Sequence, residues 1–213
     1  MSNTNINTNI KTNIKTKPQT QKPDINLYAK TDPKWIETIN TDFDTFLLDH
    51  AACERKASAM AMSMVSHYPD KKDIVTSMTD LAIEELAHFK QVLKHINTRG
   101  LMLGPDRKDP YIQAFRKHIR NGREDYLLDR LLTAGIIEAR GHERFSIIAD
   151  NLEPGPLQTM YAIIAKAEAK HHQLFVDLAL TYFPKREVMD RLDELLHAEA
   201  KIIQEIPHRV ALH

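Results

Sequence analysis

One cysteine is all the chain contains, at position 53, so no internal disulfide can form and no cysteine-based zinc cage can be built. That scarcity fits a reducing compartment, and a cytoplasmic location is expected. Long apolar runs are missing too. No stretch approaches the roughly 18 uninterrupted apolar residues of a spanning helix, and the N-terminus lacks the apolar centre of a secretory signal. Neither secretion nor membrane insertion is expected. Net charge is absent: 29 Lys and Arg balance 29 Asp and Glu, so the overall field argues for no polyanionic partner. No segment alternates as a strand does.

What is present suits one helical domain. With 213 residues, 42% of them hydrophobic, the chain can bury a substantial core, whereas half of it would be marginal. The opening NTNINTNIKTNIKTKPQTQKP is low in complexity and has no helical apolar spacing, so residues 1–26 are expected to be a disordered tail ahead of a 27–213 domain. Beyond it the punctuation is helical. Asp32-Pro33 reads as a cap followed by a first-turn proline, and Pro69-Asp70 as the stop of one helix and the cap of the next. Gly100 closes that second helix. Gly104-Pro105 and Asp109-Pro110 form a connection to a short basic helix near 111–120, ended by Asn121-Gly122. Periodic segments over 123–151 and 156–182 follow, separated by Glu153-Pro154-Gly155-Pro156, and a last helix lies between Pro184 and Pro207. The fold class is all-α: a four-helix bundle with a short insert helix between two hairpins and an extra C-terminal helix.

Glu-x-x-His places a carboxylate and an imidazole on one helix face, a turn apart, where both can reach one metal. The motif is weak alone and occurs four times, as Glu85/His88, Glu168/His171, Glu194/His197 and Glu205/His208. Repetition chooses among them. Glu54 precedes Glu85 by 31 residues and Glu138 precedes Glu168 by 30. The same step back from Glu194 meets Ile163 or Ile164, and from Glu205 meets Leu174 or Phe175. Two hairpins thus each supply one Glu from the first helix and Glu-x-x-His from the second, the ligand set of di-iron and di-manganese carboxylate bundles.

Burial supports the same choice. Phe43, Leu47, Ala61 and Val65 flank Glu54 at helical spacing, and Met78, Leu81, Val92 and Ile96 flank Glu85. Glu138 lies among Leu131, Ala134, Phe145 and Ala149, and Glu168 among Tyr161, Ile164, Phe175 and Ala179. An unpaired carboxylate on such a stripe costs several kcal/mol or more, so a cationic partner is expected. Carboxylate and imidazole ligands suit iron or manganese, and the residues leave that choice open. His50, His142 and His172 stand within a turn of the ligands and are candidates for hydrogen-bonding them from behind. Cys53 has no base marked for it and reads as a small residue beside the site.

HAACERKASAM, AIEELAHFKQVL, LLTAGIIEARGHERF and AEAKHHQLFVDLA together resemble the bacterial tRNA 2-methylthio-isopentenyladenosine hydroxylase family over about residues 27 to 205. CERKA around Glu54 and IIEAR..ERF around Glu138 look like that family and unlike ferritins or rubrerythrins. The resemblance implies a ferritin-like di-iron monooxygenase, with two iron ions on Glu54, Glu85, His88, Glu138, Glu168 and His171. It would use O2 to hydroxylate the isopentenyl group of the modified adenosine beside the anticodon. Two electrons per turnover would come from outside, from a separate reductase or ferredoxin, since no flavin, nicotinamide or iron–sulfur motif is evident in the chain. The site alone also fits a bacterioferritin- or rubrerythrin-like ferroxidase or a dimanganese catalase. Oligomeric state is left open, a monomer included.

A tRNA partner would give the charge distribution a purpose. Residues 99 to 123 hold Arg99, Arg107, Lys108, Arg116, Lys117, Arg120 and Arg123 against Asp106 and Asp109. These seven are the candidate contacts to phosphates of the anticodon stem-loop, and an ordinary solvated surface is the alternative.

Overall fold

The computed structural model describes residues 24–213. Of the expected tail, residues 1–23 lie outside the described part; Ile25 is buried in the core and Asp24 meets His172. Seven helices and no strand occur among the described residues: α1 Lys34–Thr41, α2 Phe43–His67, α3 Lys72–Thr98, α4 Pro110–Arg116, α5 Arg123–Asn151, α6 Pro156–Tyr182 and α7 Lys185–Glu205. The pairs α2/α3 and α5/α6 are the two expected hairpins, and α3 against α6 closes the bundle. The C-terminal helix α7 packs mainly on α5 and α4.

Three boundaries differ from the sequence reading. The first long segment is broken at Asp42, whose extended backbone and carboxylate cap α2 by accepting from Thr45 N and Oγ1. The N-cap of α3 is Lys71, one residue past Asp70, with no side-chain cap. The insert helix stops at Arg116, because the backbone N–H and guanidinium of Arg120 are drawn to buried Asp129 on α5. At the other end of that helix, Asp109 caps Tyr111 N and Ile112 N. Gly100, at φ 70°, takes the left-handed conformation that closes α3.

The apolar interior falls into two clusters. One contains Trp35, Ile39, Phe46, Val92, Ile96, Phe145, Ile148 and Tyr161. The other contains Met64, Met78, Leu81, Leu127, Leu131, Phe175, Leu178 and the inner side of α7. Along each ligand helix the proposed ligands lie between residues of the two, as Glu54 does between Ala51 and Ala61. The site is therefore a polar layer walled by apolar residues above and below. Gly135 on α5 sets the approach of α6, since a Cβ there would lie 3.1 Å from Phe175 Cβ and 3.3 Å from the His172 carbonyl oxygen.

Candidate metal centre

Four helices converge their carboxylates on this layer. Glu54, Glu85, His88 and Glu168 bring one ligand atom each within 4.8 Å of one another, and so do Glu85, Glu138, Glu168 and His171. The clusters share Glu85 and Glu168. Glu54 with His88 belongs to one alone, and Glu138 with His171 to the other. All six residues are buried. Such a donor set would suit two cations, Glu85 and Glu168 being available to both and one further Glu and one His to each.

The donor atoms fit a metal better than they fit each other. His88 Nδ1 lies 3.6 Å from Glu54, 3.7 Å from Glu85 and 4.0 Å from Glu168, beyond hydrogen-bond range and within reach of a shared ion. Glu85 Oε1, His88 Nδ1 and His171 Nε2 are buried with no well-aligned hydrogen bond among the described residues, although Glu85 Oε1 lies 3.0 Å from His171 Nδ1 and His171 Nε2 lies 3.3 Å from Glu84. Poorly satisfied polar atoms of this kind are costly in a dry interior and leave room for a further partner.

The electrostatics point the same way. Burial pushes the Glu138 carboxyl well above the ordinary range, and the neighbouring Glu168 carboxylate adds to it. Glu168 is raised by burial and by the charges of Glu85 and Glu54. Burial also raises Glu85, whereas at Glu54 it is outweighed by the adjacent His50, which holds that carboxyl low. Both imidazoles run against their burial: Glu54 and Glu85 lift His88 to about 9, and Glu85 with Glu138 lifts His171 to about 9. Without a cation the centre keeps its charge down by holding protons, and divalent ions would displace them.

Of the three neighbouring histidines, only His50 touches a ligand. Its Nε2 lies 2.5 Å from Glu54 Oε1 and its Nδ1 3.1 Å from Tyr161 OH, a chain that fixes both imidazole and carboxylate. His142 Nδ1 donates to the Ala165 carbonyl at 2.7 Å, and His172 Nε2 meets Asp24 at 2.8 Å. The discarded motifs lie elsewhere: His197 is exposed beside Asp193, and His208 faces Asp32. Two contributors escaped the sequence reading. Tyr161 was legible only as one more apolar position, and Glu84, half-exposed, brings its carboxylate 3.3 Å from His171 Nε2.

The basic segment is partly neutralised within the protein. Arg99 pairs with Asp44 at 2.6 Å and Arg123 with Asp70 at 3.5 Å. Arg120 is held by Asp125 at 2.9 Å and Asp129 at 2.8 Å. Arg107, Lys108, Arg116 and Lys117 are exposed, with no ion pair from their side chains among the described residues.

The arginines of IIEAR..ERF hold the shell of the bundle together. Arg140 is fully buried, bonds both Glu199 oxygens at 2.8 and 3.0 Å, and donates to the Ala29 carbonyl. Tyr111 OH donates to the same Glu199. Arg144 donates to the Leu212 carbonyl and lies over the Trp35 ring. The N-terminal segment, α4, α7 and the residues after α7 are all fastened to α5 by these two side chains and their partners.

Residues 19–213 match the model of the tRNA-(MS[2]IO[6]A)-hydroxylase (MiaE) family. The chain belongs to this family. It is 32% identical over 193 residues to the tRNA 2-(methylsulfanyl)-N(6)-isopentenyladenosine(37) hydroxylase of Pseudomonas putida, covering 90% of this chain and 94% of that one. The Salmonella typhimurium hydroxylase of the same name is 31% identical over 131 residues, 62% of this chain and 48% of that one. Among solved structures, a protein with aldehyde deformylating oxygenase activity from Synechococcus superposes with a TM-score of 0.82. It is 36% identical, over 88% of this chain and 94% of that chain. The MiaE-family chain thus has the ferritin-like, all-helical architecture, with a buried cluster of Glu and His that fits metal binding. No helix among its described residues is long and apolar enough to cross a membrane.

Proposed function

We propose that this chain is a cytoplasmic O2-dependent tRNA hydroxylase that holds two iron ions on Glu54, Glu85, His88, Glu138, Glu168 and His171. Its substrate is the isopentenyl group of 2-methylthio-isopentenyladenosine next to the anticodon. One observation carries the reading: two buried ligand clusters sharing Glu85 and Glu168, in a chain of the MiaE family. In the overall reaction one oxygen atom of O2 enters a C–H bond and the other leaves as water, which consumes two electrons and two protons. A di-iron pair supplies the reductive activation of O2. The electrons come from a separate reductase or ferredoxin.

The chain's own residues set the conditions for that chemistry. Glu85 and Glu168, common to both clusters, would each be available to both ions. His50, braced by Tyr161, fixes the Glu54 carboxylate. Apolar layers on both sides keep bulk water from the reacting atoms. A ferroxidase or a catalase needs no route for a bulky organic group, and the family match favours the hydroxylase over both. The likeness to a protein with aldehyde deformylating oxygenase activity sets a control, a long-chain aldehyde offered to the iron-loaded chain. The direct test is nucleoside mass spectrometry of tRNA from a strain lacking this gene. Loss of the hydroxylated isopentenyl nucleoside, restored by the wild-type chain and not by Glu168→Ala, is expected. Unchanged tRNA would overturn the assignment.

A further inference from the structure

The four ligand helices are covered unequally. The outer side of α5 lies under α7 and the N-terminal segment, where Arg140 holds Glu199 and the Ala29 carbonyl. The outer side of α2 lies under the connection to α4, through the Arg55–Asp106 pair and Lys56 Nζ on the Arg107 carbonyl at 3.3 Å. No hydrogen bond or ion pair of this kind ties another helix across the seam between α3 and α6 among the described residues. Glu84 marks how thin the wall is there: its side chain is 50% exposed, yet its carboxylate lies 3.3 Å from the buried His171 ring.

The helices bordering this seam run antiparallel, since Glu84 meets His171 while Asp73, earlier on α3, meets Tyr182, later on α6. One to two turns from Glu84 toward the end of α3, Ala87 and Gln91 therefore come opposite Ala167 and Ile163. The two alanines present only methyl groups, and Ile163 is a large apolar side chain left 53% exposed. Four exposed lysines lie on the outer faces of these two helices, Lys90 and Lys94 on α3 and Lys166 and Lys170 on α6. Each is without an ion pair among the described residues. The basic segment before α5 has spent three of its seven cations on internal carboxylates, and α4 packs on α7, away from α3.

We propose that the α3–α6 seam is the docking face for the anticodon loop and the entrance for its modified base. This rests on the hydroxylase reading above. Single-stranded loops offer what such a face would recognise: phosphates for the four lysines and a splayed base for the apolar lips around Ala87, Ala167 and Ile163. Glu84 stands at the threshold, where its carboxylate can also orient the imidazole of His171.

The experiment uses the iron-loaded full chain and an anticodon stem-loop RNA carrying 2-methylthio-isopentenyladenosine, with affinity measured across a salt series. Joint replacement of Lys90, Lys94, Lys166 and Lys170 by Ala should weaken binding and flatten the slope of log affinity on log salt by about 0.7–0.9 per lost phosphate contact. Iron content and helicity should stay at the wild-type level. Replacement of Arg107, Lys108, Arg116 and Lys117 by Ala should leave affinity and slope in place. If instead the second variant loses affinity and the first keeps it, the RNA docks on α4 and the seam is overturned. A second variant tests the entrance: Ala87→Trp, at an exposed position that tolerates bulk, should cut RNA turnover by about tenfold or more by misplacing the base, with affinity retained. Wild-type turnover in Ala87→Trp would overturn the entrance. Should the wild-type chain neither bind nor hydroxylate the RNA, the hydroxylase reading fails and the seam assignment falls with it; failure of the seam alone leaves the wild type active.

Discussion

Glu85 and Glu168 belong to both clusters, whereas each remaining candidate ligand belongs to one, so substitutions should sort into two classes. Glu85→Ala or Glu168→Ala should empty the site. Glu54→Ala or His171→Ala should leave about one of the two metal ions that such bundles bind. Metal analysis after desalting separates these outcomes, and equal loss from all four variants would show that the carboxylates are not shared as described. His197→Ala should hold its full metal content, since His197 is exposed beside Asp193. The protonation of the centre gives a second prediction. Glu138 and Glu168 are raised and His88 and His171 lie at about 9, so below that pH ions must displace protons to bind. Adding Fe(II) anaerobically at pH 7 should release protons, and affinity should rise as pH increases toward 9; a pH-independent affinity would contradict this. At this scale the convergence of the six candidate ligands was legible because a 3.6-residue period and a repeated spacing announce it. The His50–Tyr161 bond was not, because its partners are 111 residues apart and nothing local couples them.

At the scale of the element, α5 bears the most constraint, with apolar side chains toward the bundle and Arg140 and Arg144 toward the outer layer. Arg140→Ala would strand the buried Glu199 carboxylate and should cost about 3–5 kcal/mol, as loss of one partner from a buried pair does. A denaturant midpoint measures it, and a cost below about 1 kcal/mol would mean the pair is solvated. Gly135→Ala would press a methyl group on Phe175 Cβ and the His172 carbonyl oxygen, both near the α6 backbone and unable to swing away. A loss of about 1–3 kcal/mol is expected, the cost of overpacking. Where helix ends depend on local signals, the sequence was sufficient: the prolines and glycines around 151–156 and 182–184 bound α5, α6 and α7 as expected. Where they depend on distant partners it was not. Arg120 leaves the helical path for Asp129 on another helix, and the break at Asp42 is hidden because apolar residues continue through Ile39, Phe43 and Phe46.

For the whole molecule, two hairpins enclose the buried Glu and His layer, and the further elements leave one side of the bundle thinly covered. The N-terminal segment, α4 and α7 thicken the α5 side, and α3–α6 keeps a half-exposed carboxylate over a buried histidine. That asymmetry is what a large polymeric substrate requires, since only one nucleoside has to reach the centre. Charge counting alone could not show how much of the basic run is free. The densest basic run lies in the connection, and its internal pairing appears only once the fold brings Asp44, Asp70 and Asp129 beside it. The central claim is tested most directly by supplying the iron-loaded chain with a chemical reductant, the modified anticodon stem-loop and oxygen-18 gas, then digesting the RNA for mass spectrometry. The expected result is an isopentenyl nucleoside carrying one oxygen-18 atom, formed by the wild-type chain and not by Glu168→Ala. Unaltered nucleoside from a chain that holds both irons, or product lacking the label, would contradict it.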